Sequence, residues 1–131
     1  MHLPALSLLL LPLLPLALAA DCNTAKHYAV TSSVSLYMPH RGSSIACSLN
    51  RGNNSPAVSA LQTQLNLCYR SGLDVDGDFG GRTKTALEAA QRAAGADPDG
   101  SYGPETRSKL KFGLYYNGNP SDVVCKRLSQ W

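Results

Sequence analysis

Acidic residues alternate along one short segment of the chain, in a pattern of side chains that can bind calcium. Asp74, Asp76 and Asp78 place three carboxylates at every second position. An EF-hand loop has this alternation, but it also needs glycine at its sixth position and a bidentate acid at its twelfth. Those two positions hold Phe79 and Thr85. The sequence therefore argues against a calcium site, and we predict no bound metal.

The same segment is the first copy of an internal repeat. Residues 74–83 and 97–106 both read D-x-D-G-x-aromatic-G-x-x-T, offset by 23 residues. An Asp before Gly favours a turn in which the carboxylate accepts hydrogen bonds from nearby amides and Gly takes a positive φ. The aromatic residue of each copy is apolar enough to fill a core. The repeat therefore predicts two matched turns that lead into helices, and this structural role is the alternative to ligand binding for each residue in it.

Residues that could catalyse a reaction are sparse. Glu88 and Glu105 are the only glutamates, and each falls in a predicted helix, where a solvated face or the helix dipole explains it. His27 and His40 lie in an irregular segment, and the chain has neither H-E-x-x-H nor G-x-S-x-G. We predict that the protein is not an enzyme and uses no cofactor, with glycoside hydrolysis as the alternative that the sequence leaves open.

Residues 1–20 have the composition of a secretory signal peptide. They contain no Asp, Glu, Lys or Arg and end in small residues. A membrane anchor is the alternative, which three prolines and the short length of the run disfavour. We therefore expect a secreted, extracellular protein that has no membrane partner after cleavage. The rest of the chain keeps the net charge of +3, which is too small to predict a nucleic-acid partner.

The four cysteines all follow the predicted signal peptide, and an even number in a secreted chain predicts disulfides. Three pairings can be drawn among Cys22, Cys47, Cys68 and Cys125. We favour Cys47–Cys68, which would brace the start of a helix against its end, and Cys22–Cys125, which would join the chain termini.

Helical periodicity covers the middle of the chain. Ser55 and Pro56 predict the start of a first helix, which runs to about residue 69. A second helix is predicted over residues 82–94, with Gly95 ending it, and a third over about residues 104–112. Four segments are therefore predicted: a signal peptide at 1–20, an irregular N-terminal arm with one or two short strands at 21–46, a domain at 47–113, and a C-terminal tail packed on it at 114–131.

Four blocks of sequence, taken in order, resemble the peptidoglycan-binding-like domain family. They are a V-x-x-L-Q-x-x-L helix from Val58, a D-G-x-F-G-x-x-T loop from Asp76, a helix ending near Gln91, and a D-G-x-x-G-P-x-T loop from Asp99. The resemblance covers about residues 47–112 and implies a compact three-helix bundle. We therefore predict an all-α fold: a small, disulfide-braced three-helix bundle with a loop-rich N-terminal arm.

The resemblance also implies a function, which is to bind bacterial cell-wall peptidoglycan without cleaving it. The family occurs as a propeptide module ahead of zinc peptidases too, so a protein-interaction or inhibitory role is an alternative, as is a related N-acetylglucosamine polymer such as chitin. We expect a monomer whose partner is the wall glycan. The predicted ligand-binding residues are amide, acidic and aromatic side chains of the helices and loops: Gln62, Asn66, Tyr69, Asp76, Phe79, Asp99 and Tyr102. Tyr115 and Tyr116 are further aromatic candidates in the tail.

Overall fold

The computed structural model describes residues 20–130, in which three helices stand beside a four-stranded antiparallel sheet. The elements in chain order are β1 (Thr24–Ala29), β2 (Val34–His40), α1 (Pro56–Tyr69), α2 (Gly81–Ala94), α3 (Pro104–Lys109), β3 (Lys111–Tyr116), β4 (Val123–Arg127) and a 3-10 turn (Leu128–Gln130). The strands lie in the order β1-β2-β3-β4. The predicted all-α three-helix bundle is therefore wrong, because the fold mixes helix and sheet.

The sheet is built from both ends of the described chain. β1 and β2 form a hairpin, and β3 pairs with β4. β2 and β3 pair from Val34–Tyr116 to Leu36–Leu114, although the whole helical region separates them in sequence. Local periodicity does not report such a distant pairing. The segments predicted as an irregular arm and a packed tail thus provide all four strands, while the domain boundaries themselves stay a prediction.

One buried glutamine sets where the β2–β3 pairing stops. Beyond Leu36–Leu114, the side chain of Gln64 in α1 donates to the carbonyl of Tyr37 at 2.6 Å and accepts from the amide of Gly113 at 2.7 Å. Tyr37 and Gly113 are the next two residues that would face each other in the register. The carboxamide of Gln64 therefore takes the place of the next backbone pair and joins helix to sheet.

The helices begin and end close to where the sequence signals predicted. Pro56 is the first residue of α1, although the side chain of Ser55 makes no capping hydrogen bond. Gly95 ends α2 with a φ of 76°, in the left-handed region that favours glycine. The third helix is shorter than predicted: α3 ends at Lys109, because Leu110 is extended and the chain continues as β3.

A single buried cluster holds the sheet and the helices together. It contains side chains from the strands, such as Leu36 and Phe112, and from the helices, such as Leu61 and Leu87. The aromatic residues of the two repeated loops lie in the same cluster. Burying these apolar surfaces is the main force that stabilises the fold.

The two disulfides join Cys22 to Cys47 and Cys68 to Cys125. The prediction that all four cysteines are bridged is confirmed, but the favoured pairing is wrong. Cys22 lies beside Cys47 because its amide donates to the carbonyl of Ser48 at 2.8 Å. Cys68 ends near β4 because α1 lies against the sheet, so that helix and sheet are cross-linked.

The predicted signal peptide lies outside the described residues, apart from Ala20. Within residues 20–130, no helix has the length and apolar character needed to cross a membrane.

Candidate functional site

Gln62 is the centre of a hydrogen-bond network in the first repeated loop. Its side-chain amide donates to the carboxylate of Asp76 at 3.0 Å, to the carbonyl of Asp78 at 3.1 Å and to the hydroxyl of Thr83 at 3.1 Å. Its carbonyl oxygen accepts from the amide of Gly77 at 3.0 Å. Gln62 is only 1% exposed, so these bonds satisfy a polar group that would otherwise be costly to bury.

Gln91 forms the same network in the second loop. Its amide donates to Asp99 at 3.0 Å, to the carbonyl of Ser101 at 2.9 Å and to Thr106 at 2.9 Å, and its oxygen accepts from Gly100 at 2.9 Å. The prediction of site residues missed Gln91. The signal was present, because each D-G loop follows a helix that contains a glutamine.

The two carboxylates also hold the loops in their turns. Asp76 accepts from the amide of Asp78, and Asp99 accepts from the amide of Ser101, both at 2.9 Å. The amide of Asp78 is the main cause that lowers the pKa of Asp76, with the amide of Gln62 second. Asp76 therefore stays ionised at neutral pH.

The aromatic residues of the loops are out of reach of a ligand. Phe79 and Tyr102 are 1% and 0% exposed. The backbone of Tyr102 pairs with that of Leu49 in both directions, at 2.8 and 2.9 Å. These contacts assign both rings to the core rather than to a binding surface.

The two remaining predicted residues sit at the end of α1. Asn66 binds both backbone groups of Leu73, at 2.8 and 2.7 Å, and so fixes the loop after the helix. The hydroxyl of Tyr69 accepts from the amide of Lys111 at 2.8 Å. Burial raises the pKa of Tyr69, while the Lys111 amide and the charge of Arg127 work against that rise.

Tyr69 lines a cleft of about 540 Å³, which we call the α2 cleft. It runs between the segment after α1 and the first half of α2. Its lining residues are Tyr69, Arg70, Ser71, Gly72, Leu73, Gly81, Arg82, Thr85, Ala86 and Ala89. The lining thus forms a mainly apolar floor, and the two arginines Arg70 and Arg82 border it.

A smaller acidic pocket of about 200 Å³ continues from the α2 cleft, with Gly72, Leu73, Gly81 and Arg82 lining both. Asp74, Asp76, Asp78 and Gln62 line its other side. Of the seven predicted ligand residues, Tyr69, Gln62 and Asp76 thus reach this pair of cavities, and Asn66, Phe79, Asp99 and Tyr102 line neither.

Arg70 and Arg82 are exposed, and within residues 20–130 neither guanidinium makes a hydrogen bond or an ion pair. Sequence reasoning missed both. A guanidinium presents several N–H donors in a fixed plane that matches a carboxylate. The α2 cleft can therefore bind an apolar group that carries a carboxylate. Among residues 20–130, no group of three or more His, Cys, Asp or Glu side chains is placed so that it could hold a metal ion.

Comparison with known protein families agrees with the motif order. Residues 54–110 match the family described as "Putative peptidoglycan binding domain", which confirms the predicted resemblance. A crystal structure of a peptidoglycan-binding protein from Clostridioides difficile, in complex with glutamine hydroxamate, is similar at 26% identity and a TM-score of 0.49. That similarity covers 63% of this chain and 53% of the other, so this chain spans about half of its length. No curated protein sequence matches.

Proposed function

We propose that the protein is a secreted module that binds bacterial cell-wall peptidoglycan without cleaving it, and the family match over residues 54–110 supports this proposal. Secretion in this proposal rests on the predicted signal peptide and on the two disulfides, which persist in oxidising compartments.

The observation that carries the proposal is that two arginines without a hydrogen bond or ion pair among residues 20–130 border the apolar floor of the α2 cleft. Peptidoglycan offers short peptides that combine alanine methyl groups with carboxylates. The methyl groups fit a floor formed by Tyr69, Leu73 and Ala86, and the carboxylates fit Arg70 and Arg82.

The two glutamates give no support to glycoside hydrolysis. Glu88 lies 3.9 Å from Arg92 and Glu105 lies 3.3 Å from Lys109, each within its own helix. Neither glutamate lines the α2 cleft. A glycosidase needs two carboxyl groups facing one bond, and these two are paired with surface cations instead.

Sedimentation with purified peptidoglycan, with chitin and cellulose beside it, tests the proposal. We expect selective retention on peptidoglycan, at least tenfold weaker in the double variant Arg70→Glu/Arg82→Glu. The double variant Lys26→Glu/Arg92→Glu makes the same charge change at exposed positions that line neither cavity, and it should bind like the wild type. Equal losses in both variants would mean that only net charge matters.

Two other outcomes would redirect the search. Preferential retention on chitin would favour the alternative N-acetylglucosamine polymer. No retention of the wild type on any polymer would overturn the proposal and favour a protein partner.

A further inference from the structure

Three aromatic rings from neighbouring strands meet on the sheet, outside residues 54–110. His27 in β1 faces Tyr37 in β2, and their ring centroids lie 5.0 Å apart at an angle of 39°. Tyr115 in β3 lies 5.9 Å from His27 at 76°. The ring of His27 is therefore tilted against both tyrosine rings rather than stacked flat on either of them.

These rings border a cleft of about 350 Å³, which we call the aromatic cleft. Its other lining residues are Thr63 from α1, and Gly118 and Pro120 from the connection between β3 and β4. The volume falls within the roughly 300–1,000 Å³ of sites for small molecules. The aromatic cleft shares no lining residue with the α2 cleft or the acidic pocket.

The lining has a distinctive chemistry. It contains no Asp, Glu, Lys or Arg. By contrast, the α2 cleft is lined by two arginines, and the acidic pocket is lined by one arginine and three aspartates. An anionic or cationic ligand would find no fixed opposite charge here. The aromatic cleft therefore suits a neutral ligand that has one apolar face.

Two polar groups are available to such a ligand. Within residues 20–130, the hydroxyls of Tyr37 and Tyr115 make no hydrogen bond. Burial, and secondarily the neighbouring Tyr37, raises the pKa of Tyr115. That hydroxyl remains protonated at neutral pH and can donate as well as accept.

We infer that the aromatic cleft is a second binding site, which takes a neutral pyranose ring of a glycan chain. The C–H face of a pyranose packs on an aromatic ring, whose face is electron-rich. The sugar hydroxyls then find Tyr37 and Tyr115 at the rim. This inference uses residues of the sheet and does not depend on the function proposed for the α2 cleft.

Titration of the protein with a soluble trimer of β-1,4-linked N-acetylglucosamine, followed by NMR, tests the inference. The trimer carries no peptide and no charge. We expect saturable shifts of the Tyr37, Tyr115 and His27 ring signals below about 10 mM. Tyr115→Ala should weaken binding at least tenfold, whereas Tyr28→Ala, which removes an exposed tyrosine from β1, and Arg70→Glu/Arg82→Glu should leave it unchanged.

A second variant protects the test against misfolding. Tyr37→Phe/Tyr115→Phe keeps both rings and removes only the hydroxyls, and we expect it to bind roughly threefold to tenfold more weakly. Cellotriose separates two sources of affinity. Binding of both trimers would mean that the pyranose face suffices, and binding of the N-acetylated trimer alone would add a contact to the acetamido group.

Absence of saturable shifts with either trimer would overturn the inference. So would shifts confined to residues of the α2 cleft, or a Tyr115→Ala protein that is folded and binds like the wild type. Failure of the proposed peptidoglycan function would appear separately, in the sedimentation assay with the arginine variants.

Discussion

Gln62 and Gln91 are equivalent residues in two copies of one structural unit. Each amide binds an Asp carboxylate, a backbone carbonyl and a Thr hydroxyl, and each oxygen accepts from a Gly amide. The equal bonds arise although the helices and loops are connected by different lengths of chain. Each glutamine thus ties a helix to the loop that starts the next helix.

We expect Gln62→Leu and Gln91→Leu each to lower the free energy of unfolding by about 3 kcal/mol. Leucine keeps much of the volume but leaves the Gly amide unpaired in a buried place. Thr83 also loses its partner, whereas Thr106 still donates to the carbonyl of Ser101. Guanidinium denaturation measures the loss. Gln130→Leu removes only an exposed hydrogen bond, from the amide of Arg127 at 3.0 Å, and should cost about 1 kcal/mol or less.

A loss confined to one of the two variants would contradict the equivalence.

Gln62→Leu should also raise the pKa of Asp76 towards its ordinary value, because the substitution removes the second-largest cause that lowers this pKa. NMR titration measures the change. A carboxyl group whose pKa is lowered by folding stabilises the folded protein at pH values above its pKa in the unfolded chain. This stabilisation is lost as the pH falls through the pKa of the folded protein. The variant should therefore lose less stability on acidification than the wild type does.

Sequence reasoning predicted the three helices and the repeated loops because their signals are local. Pro56, Gly95 and the two D-G turns determine backbone geometry within a few residues. It failed on the sheet and on the cysteine pairing, which both depend on where distant segments pack.

The candidate site was predicted only in part, because it too depends on how distant segments pack. Gln62 and Asp76 were identified as polar groups near the loops, but sequence does not show that their hydrogen-bonding capacity is used within the protein. Conversely, Arg70 and Arg82 stand out only once the fold places them on one cleft.

Gln64 provides a further test of how helix and sheet are joined. Gln64→Leu should lower the free energy of unfolding by about 3 kcal/mol, because the Tyr37 carbonyl and the Gly113 amide lose their shared partner. Hydrogen exchange of the Gly113 amide should accelerate by more than that of β1 amides. Uniform acceleration across the sheet would show that Gln64 has no local role at this junction.

Tyr102 buries a hydroxyl that has no hydrogen-bond partner among the described residues. Tyr102→Phe should therefore leave stability at pH 7 unchanged or raise it by about 1 kcal/mol. The first repeat already has phenylalanine at this position, Phe79. A clear loss of stability in guanidinium denaturation would instead indicate that the hydroxyl is satisfied by water.

The same variant has an expected pH dependence. Burial raises the pKa of Tyr102 above its ordinary value of 10.0. Above pH 10 the unfolded chain releases this proton before the folded protein does, so stability falls as the pH rises. Between pH 9 and 11, Tyr102→Phe should lose less stability than the wild type. Part of the loss should remain, because the pKa values of Tyr69 and Tyr115 are also raised. Equal losses with and without the Tyr102 hydroxyl would contradict this assignment.

The two disulfides should differ in how readily they are reduced. Cys22 and Cys47 are 2% and 0% exposed, whereas Cys68 and Cys125 are half-buried. Because thiol–disulfide exchange requires access to a sulfur atom, we expect mild reductant to open Cys68–Cys125 first. Alkylation of the native protein followed by peptide mass spectrometry measures the order.

Removing the half-buried Cys68–Cys125 bridge should still be costly. Cys68–Cys125 closes a separation of 57 residues, for which the chain-entropy model gives about 4 kcal/mol. Denaturation of Cys68→Ala/Cys125→Ala checks that value. Earlier reduction of Cys22–Cys47, or a peptide joining Cys47 to Cys68, would contradict the pairing or the burial described above.

If both clefts contact the same polymer, they should act together. The α2 cleft and the aromatic cleft lie on one small domain, so binding at one raises the effective concentration of polymer at the other. On intact peptidoglycan, we expect Tyr115→Ala and Arg70→Glu/Arg82→Glu each to weaken retention about tenfold and the combined variant to abolish it. On the N-acetylglucosamine trimer, which carries no carboxylate for the arginines to bind, only Tyr115→Ala should matter. Wild-type retention of Tyr115→Ala on peptidoglycan would show that the aromatic cleft faces away from the bound polymer, and its ligand would then be a separate glycan.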